Sequence, residues 1–277
     1  MTNYQLPFSQ FVVSAEWLFA HLDDPQVVIV DCRFSLADPI LGQQQYQASH
    51  ISGAYYLDLN QDLSSSVGEH GGRHPLPNPA DLAQKLSAMG VKSDTLVVAY
   101  DDSRLAFASR LWWLLRYLGH EQVAVLTGGF AGWQKAGYPV TDVIPSPRIA
   151  TFVPQVQTQM VVDREEVKTR KDFSGVVLVD SRESDRFSGE REPIDKIAGH
   201  ISGAVNYPWL EVTDSSGYLL SPQQQSDRAS NLEKAEEIIV YCGSGVTACV
   251  NLLSLELAGI KGAKLYAGSW SDWISYM

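Results

Sequence analysis

The pentapeptide His50-Ile51-Ser52-Gly53-Ala54 returns unchanged, about half a chain later, as His200-Ile201-Ser202-Gly203-Ala204, and it does not return alone. Val28-Ile29-Val30-Asp31-Cys32-Arg33 is echoed by Val177-Leu178-Val179-Asp180-Ser181-Arg182. Ser14-Ala15-Glu16-Trp17-Leu18 corresponds to Asp163-Arg164-Glu165-Glu166-Val167; both read as N-capped helix starts, and Asp163 with Glu166 has the spacing of a capping box. Asn78-Pro79 and Ser221-Pro222 are a second pair of starts, each a cap residue followed by proline at the first helical position. Leu96-Val97-Val98-Ala99-Tyr100-Asp101 aligns with Ile238-Ile239-Val240-Tyr241-Cys242. Gly129-Phe130-Ala131-Gly132-Trp133 parallels Gly268-Ser269-Trp270-Ser271-Asp272-Trp273, read with one extra residue in the second copy. A period this long means two copies of one domain rather than a solenoid of short units.

The 277 residues are enough for two domains of ordinary size. The boundaries read as a first domain over 1–143, a linker over 144–157 that begins Ile144-Pro145-Ser146-Pro147, and a second domain over 158–277. Within each copy short Val/Ile/Leu strands alternate with longer helical patterns; the clearest strands of the second lie at 177–179, 238–240 and 264–266. Continuous apolar strands alternating with helices predict an α/β fold, each domain a mostly parallel sheet with helices on both faces. Ligands of such sheets bind beyond the carboxyl ends of the strands. The first copy runs on past Trp133 through Gly137-Tyr138-Pro139, whereas the second stops at Met277; its closing segment reads as brief or truncated.

Composition narrows the function classes. With 45% hydrophobic residues a full core can form without covalent staples. The net charge of −11 argues against nucleic acid or an anionic membrane as partner. Three cysteines, Cys32, Cys242 and Cys249, make no disulfide framework and no C-x-x-C pair, so no metal site is expected. Met1-Thr2-Asn3-Tyr4-Gln5-Leu6-Pro7 lacks the basic and apolar regions of a secretory leader, and no apolar run approaches spanning length. The expectation is a soluble protein of a reducing compartment, the cytoplasm.

The chemistry concentrates where the strand Ile238-Ile239-Val240-Tyr241 stops at Cys242. Gly243-Ser244-Gly245-Val246-Thr247 follows, then a helical pattern. Glycines there permit unusual backbone angles, and amides at a helix start can aim at one anion. Such a cradle favours the thiolate of Cys242, the nucleophilic form. A cysteine phosphatase would need an arginine six residues on to grip phosphate, and Ala248 stands there. The neutral cradle suits a smaller guest, the outer sulfur of a persulfide on Cys242.

On these motifs the chain resembles, almost end to end, the tandem-domain rhodanese family. The resemblance implies two rhodanese-like domains, the first non-catalytic, since Asp101 stands in the place of Cys242. It implies a sulfurtransferase that needs no cofactor. A small-molecule sulfur donor loads Cys242, and cyanide or a thiol, a thioredoxin-like protein among the candidates, accepts the sulfur. The loop from Cys242 to Thr247 resembles the mercaptopyruvate-using version of the family; the thiosulfate-preferring version carries Arg-Lys where this chain has Gly243-Ser244. Thiosulfate as donor and a non-catalytic sulfur-carrying or interaction module are the alternatives.

The resemblance also distributes roles. Cys242 and Ser244 are the expected catalytic residues, within a cradle of Gly243, Ser244, Gly245, Val246 and Thr247. Arg186, ahead of Phe187, is the expected grip on the donor carboxylate, and Arg191 matches a second arginine of the mercaptopyruvate enzymes loosely. His74 and Arg73 lie in Gly71-Gly72-Arg73-His74-Pro75-Leu76-Pro77, which has no strong twin; they are expected to reach the donor. The family's acidic partner for this histidine falls nearest Asn60, with Asp62 beside it. Duplicated Arg33/Arg182 and His50/His200 read as structural. Cys249, two helical turns beyond Cys242, is expected in the core, pointing away from the loop.

Overall fold

The apolar runs become strands and the capped segments become helices. The structure is a computed structural model and describes residues 11–277, so the expectation for the N-terminal heptapeptide lies outside the described residues. The first half of the chain gives β1 (Val12–Val13), α1 (Ala15–Ala20), β2 (Val27–Asp31), α2 (Leu41–Ala48), β3 (His50–Ile51), β4 (Tyr55–Tyr56), α3 (Pro79–Ala88), β5 (Leu96–Tyr100), α4 (Ala108–Tyr117), β6 (Val123–Leu126), α5 (Gly129–Lys135) and β7 (Val140–Thr141). The second half gives β8 (Val161–Val162), α6 (Arg164–Arg170), β9 (Val176–Asp180), α7 (Ser184–Ser188), β10 (Val205–Asn206), α8 (Pro222–Ala229), β11 (Glu237–Tyr241), α9 (Ala248–Leu257), β12 (Lys264–Tyr266) and α10 (Ser269–Trp273). The caps form as their residue types require. Ser14 Oγ accepts the Trp17 N–H at 3.1 Å, Asn78 accepts that of Ala80 at 2.8 Å, and both Asp163/Glu166 and Ser221/Gln224 close full capping boxes.

Two parallel sheets of five described strands result, ordered β1-β6-β5-β2-β4 and β8-β12-β11-β9-β10. Written from corresponding ends, the two orders are the same, which is the internal repeat expressed as topology. The central pairs match in register as well: Asp31 lies opposite Tyr100 and Asp180 opposite Tyr241. β3 and β7 add a short antiparallel pair in the first half. Helices flank the sheets, as expected for strands buried on both sides. By contacts the chain divides into two units. One holds the described residues up to Ser64 together with Pro77–Gln157 and Ser215–Leu219; the other holds Ser65–Leu76, Thr158–Asp214 and Leu220–Met277. The core of the first is built on Val13, Leu18, Ile29, Val98, Leu126 and Trp133, that of the second on Val162, Val167, Leu178, Ile239, Tyr241 and Trp270. No helix among the described residues is long and apolar enough to cross a membrane.

The duplicated polar residues brace each sheet. Arg33 forks onto Asp31 (Nη2 to Oδ2 2.6 Å) and donates to the Ser49 carbonyl at 2.6 Å. Arg182 does the same with Asp180 (2.6 Å) and the Gly199 carbonyl (2.7 Å). His50 stacks on Tyr46 and bonds its carbonyl at 2.7 Å; His200 stacks on Phe187 and bonds that carbonyl at 2.8 Å.

One alignment is corrected. The Phe130 N–H donates to the Asp101 carbonyl at 2.8 Å, and the Trp270 N–H donates to the Cys242 carbonyl at 3.0 Å. Phe130 and Trp270 are therefore equivalent, and no residue is inserted in the second copy. The true pairs are Gly128/Gly268, Gly129/Ser269, Ala131/Ser271 and Gly132/Asp272. The sequence match failed because it anchored on the wrong one of two adjacent glycines.

Candidate active site

Cys242 ends β11, buried, at the carboxyl edge of the second sheet. The loop that follows turns back over its sulfur and enters α9. Gly245 makes that possible: its φ is +77°, and a Cβ would collide with the Ala267 carbonyl. So placed, the Gly245 N–H points at Cys242 Sγ at 3.2 Å. Cys249 is fully buried, but its thiol donates to the Gly245 carbonyl at 3.4 Å. It thus packs beneath the loop rather than pointing away, because a helical residue leans toward the turn before it.

The turn from β12 into α10 clamps the loop from the other side. Ser269 Oγ accepts the Cys242 N–H at 3.1 Å and donates to the Tyr266 carbonyl at 2.9 Å. The Ser271 N–H donates to the Gly243 carbonyl at 2.9 Å. Ser269 has φ +55°, where its twin Gly129 has the same angle without a side-chain penalty. A non-glycine there costs about 1–2 kcal/mol, and the residue is retained with its hydroxyl engaged twice. Ser269→Gly relieves that strain and removes a bond worth about 1 kcal/mol, so its denaturation midpoint should stay near wild type. The reactivity of the Cys242 thiol should fall severalfold, because the Cys242 amide loses its acceptor. A large drop in midpoint, or unaltered kinetics, would contradict this balance.

The segment that carries Arg73 and His74 joins this unit. His74 Nδ1 bonds Ser244 Oγ at 2.8 Å, and both residues are buried. A Cβ on Gly243 would stand 3.0 Å from Arg73 Nη2 and 3.5 Å from Arg186 Nη2, so the two guanidinium groups flank the residue after the cysteine. Cys242, Gly243, Ser244, Gly245, His74, Arg73 and Arg186 thus form one cluster. Val246 and Thr247 continue the loop to the start of α9. Arg191 is placed differently: it is half exposed and pairs with Asp185 at 2.5 Å. Asp62 accepts the Asp58 N–H at 2.6 Å and pairs with Lys85.

Four further residues escaped the sequence reading. Arg186 Nη2 is paired with Glu192 at 2.9 Å and Asp195 at 3.1 Å, and Arg73 pairs with the same Asp195. Both carboxylates are buried. Burial pushes Asp195 above the usual carboxylate range, and the Arg73 and Arg186 charges only partly oppose it. Burial also acts to raise Glu192, but the amides of Asp195 and Ile194, with the Arg186 charge, outweigh it and hold this carboxyl low. Ser269 and Asp272 complete the set; their substitution for the twin's glycines was the available signal, hidden by the misplaced alignment.

In the first unit Asp101 occupies the cysteine's position. Oδ1 accepts the N–H groups of Ser103 (2.8 Å) and Leu105 (3.0 Å), and Oδ2 those of Phe107 and Ala108 (both 2.8 Å). Burial raises its pKa; these four bonds act against that rise. The loop in this fold can therefore aim four of its own amides at one acceptor group.

A thiol at a strand end, an amide on its sulfur, a hydroxyl–imidazole pair and two arginines can bind a small anion and receive a transferred atom. The rhodanese-like domain description matches residues 14–136 and again residues 163–276. A probable 3-mercaptopyruvate sulfurtransferase from Pseudomonas aeruginosa is 45% identical over 269 residues, 95% of each chain. A putative thiosulfate sulfurtransferase from Mycobacterium tuberculosis is 35% identical over 256 residues, 91% of this chain and 89% of the other. The crystal structure of the 3-mercaptopyruvate enzyme of Escherichia coli superposes with a TM-score of 0.83 at 32% identity, covering 95% of this chain and all of that one. With both halves matched and the same sheet built twice, this chain belongs to the rhodanese family, as a protein of two rhodanese-like domains.

Proposed function

We propose that the protein is a sulfurtransferase that takes sulfur from 3-mercaptopyruvate onto Cys242 and passes it to cyanide or a thiol. The observation that carries this reading is the cysteine loop with Arg73 and Arg186 beside Gly243. The Cys242 thiolate attacks the donor sulfur, forming an S–S bond. The C–S bond of the donor breaks, and its electron pair goes to the departing carbon as an enolate. The proton from the donor thiol ends on that carbon, giving pyruvate and leaving Cys242-S-S⁻. Cyanide then attacks the outer sulfur, the S–S bond breaks toward Cys242, and thiocyanate and thiolate result. Charge and atoms balance in both halves with no cofactor.

Arg186 and Arg73 bind the donor carboxylate, in exchange for part of their pairing with Asp195 and Glu192. The Gly245 amide and the Ser244 hydroxyl, the latter bonded to His74, stabilise negative charge as it develops on sulfur. Arg191, paired at the surface, would serve only as a secondary attraction for anions. Neutral Gly243 and Ser244, in place of two cations, favour a monocarboxylate donor over the compact thiosulfate dianion. The acceptor in the cell is a small thiol or a thioredoxin-like protein of the cytoplasm.

Steady-state kinetics with both donors test this. 3-Mercaptopyruvate should be preferred in kcat/KM, and Arg186→Ala should raise its KM by about tenfold or more, the worth of a lost charge-assisted bond. A wide preference for thiosulfate would overturn the donor assignment.

A further inference from the structure

α10 gains three polar side chains over its counterpart α5 in its first turn: Ser269 for Gly129, Ser271 for Ala131 and Asp272 for Gly132. All three are turned toward the cysteine loop or the segment beside it. Ser269 holds the Cys242 amide. Ser271 Oγ accepts the Arg73 N–H at 3.2 Å. Asp272 is buried, and its Oδ1 accepts the Gly71 N–H at 2.7 Å. Its Oδ2 accepts the Tyr266 O–H at 2.6 Å. Burial pushes the Tyr266 phenol up and the adjoining carboxylate adds to the shift, so this group stays a donor.

The segment Ser65–Leu76 is also held by the Arg73–Asp195 and His74–Ser244 contacts, but has no regular backbone structure to fix it. It holds no helix or strand, and Gly71 and Gly72 both have positive φ. Its base is closed by Ser65, whose N–H and Oγ bond the carbonyls of Pro75 (3.1 Å) and Leu76 (2.8 Å). Nearer its middle, His70 bonds Ser275 at 2.8 Å and stacks on Tyr276. Gly72 lies so close to α10 that a Cβ would collide with the Gly268 carbonyl.

We propose that Asp272 is a positioning residue, a latch that holds Ser65–Leu76 against α10 so that Arg73 and His74 reach the cysteine loop. A carboxylate accepting a buried N–H makes a charge-assisted bond, which offsets the entropy of ordering a glycine-rich segment. The first unit holds its corresponding segment, Ser215–Leu219, without a carboxylate: the Gly128 N–H donates to the Gly217 carbonyl, and Gly132, the twin of Asp272, leaves the space that the Tyr218 ring takes. What Arg73 and His74 do once placed rests on the sulfur-transfer reading; the latch itself does not. If the latch is lost, only part of the population presents Arg73, and apparent donor affinity falls by that fraction.

Asp272→Ala and Asp272→Asn separate the possibilities, since Asn keeps an acceptor oxygen for Gly71. The Ala variant should raise KM for 3-mercaptopyruvate by about tenfold and the Asn variant by no more than about threefold. Discharge of preformed Cys242 persulfide by cyanide, in a single turnover, needs no carboxylate grip and should fall less than loading does in Ala, and stay within about twofold of wild type in Asn. Limited proteolysis within Ser65–Leu76 should accelerate in Ala and not in Asn. Unchanged KM together with unchanged cleavage in Ala overturns the latch, as does a discharge rate that falls as far as loading does. If the wild-type protein loads no sulfur, the functional reading fails, and the cleavage rates alone then decide for or against the latch. Should the Ala variant not fold, slow exchange of the Gly71 amide hydrogen in wild type and faster exchange in Asn support it; fast exchange in wild type overturns it.

Discussion

Cys242→Ser should remove sulfur transfer by at least about a thousandfold while leaving the fold intact, because an alkoxide cannot form near neutral pH and a neutral hydroxyl does not attack sulfur. Mass spectrometry after donor treatment makes the point without kinetics: wild type should gain one sulfur and the variant none. Cys32, whose thiol is pushed well up by burial and the Asp31 charge, and Cys249, whose thiol donates to the Gly245 carbonyl, serve as internal controls, since neither should acquire the added atom. Sulfur found on Cys249, or substantial turnover by the serine variant, would remove the basis of the proposed mechanism.

Arg182→Ala should be the most destabilising single change in the second unit, at about 3–5 kcal/mol, because it strands the fully buried Asp180 as an uncompensated charge. That is a large share of an ordinary domain's stability. Arg182 also donates from Nη1 to Glu192 at 3.3 Å, and Glu192 holds Arg186. Donor KM should therefore rise along with the loss of stability, which a purely structural brace would not produce. Denaturant unfolding followed by a second-unit probe, such as Trp270 fluorescence, gives the first quantity. A loss under about 1 kcal/mol would mean that water or another cation compensates Asp180.

The repeat made the fold readable. The longer strands, their parallel pairing and the helix caps follow from apolar periodicity and cap residues that act over a few positions. The cysteine loop was equally legible, since a β-branched strand ending at Cys242, with glycines after it, has few other uses. The ion-pair partners were not. Glu192 and Asp195 reach Arg186 and Arg73 through irregular chain, where no period relates sequence spacing to distance. Of the acids nearer to Arg186 in sequence, Glu183 is 3.9 Å away and Asp185 is taken by Arg191. Ser269 and Asp272 were missed for a different reason: a single-residue slip between neighbouring glycines disguised two glycine replacements as an insertion.

The aspartate in the silent copy carries a consequence for the active one. From Cβ, a carboxylate extends two bonds to its oxygens; a cysteine persulfide extends two bonds to its terminal sulfur, whereas a bare thiol stops at one. Asp101, ringed by four N–H groups, is thus a covalent mimic of the loaded state, frozen into the partner sequence. The resting thiol is too short to engage such a ring in full. On the proposed sulfur-transfer reading, a second sulfur on Cys242 would extend as far as those oxygens do, so the loaded form should be the better held, and a melting temperature raised by donor treatment would show it.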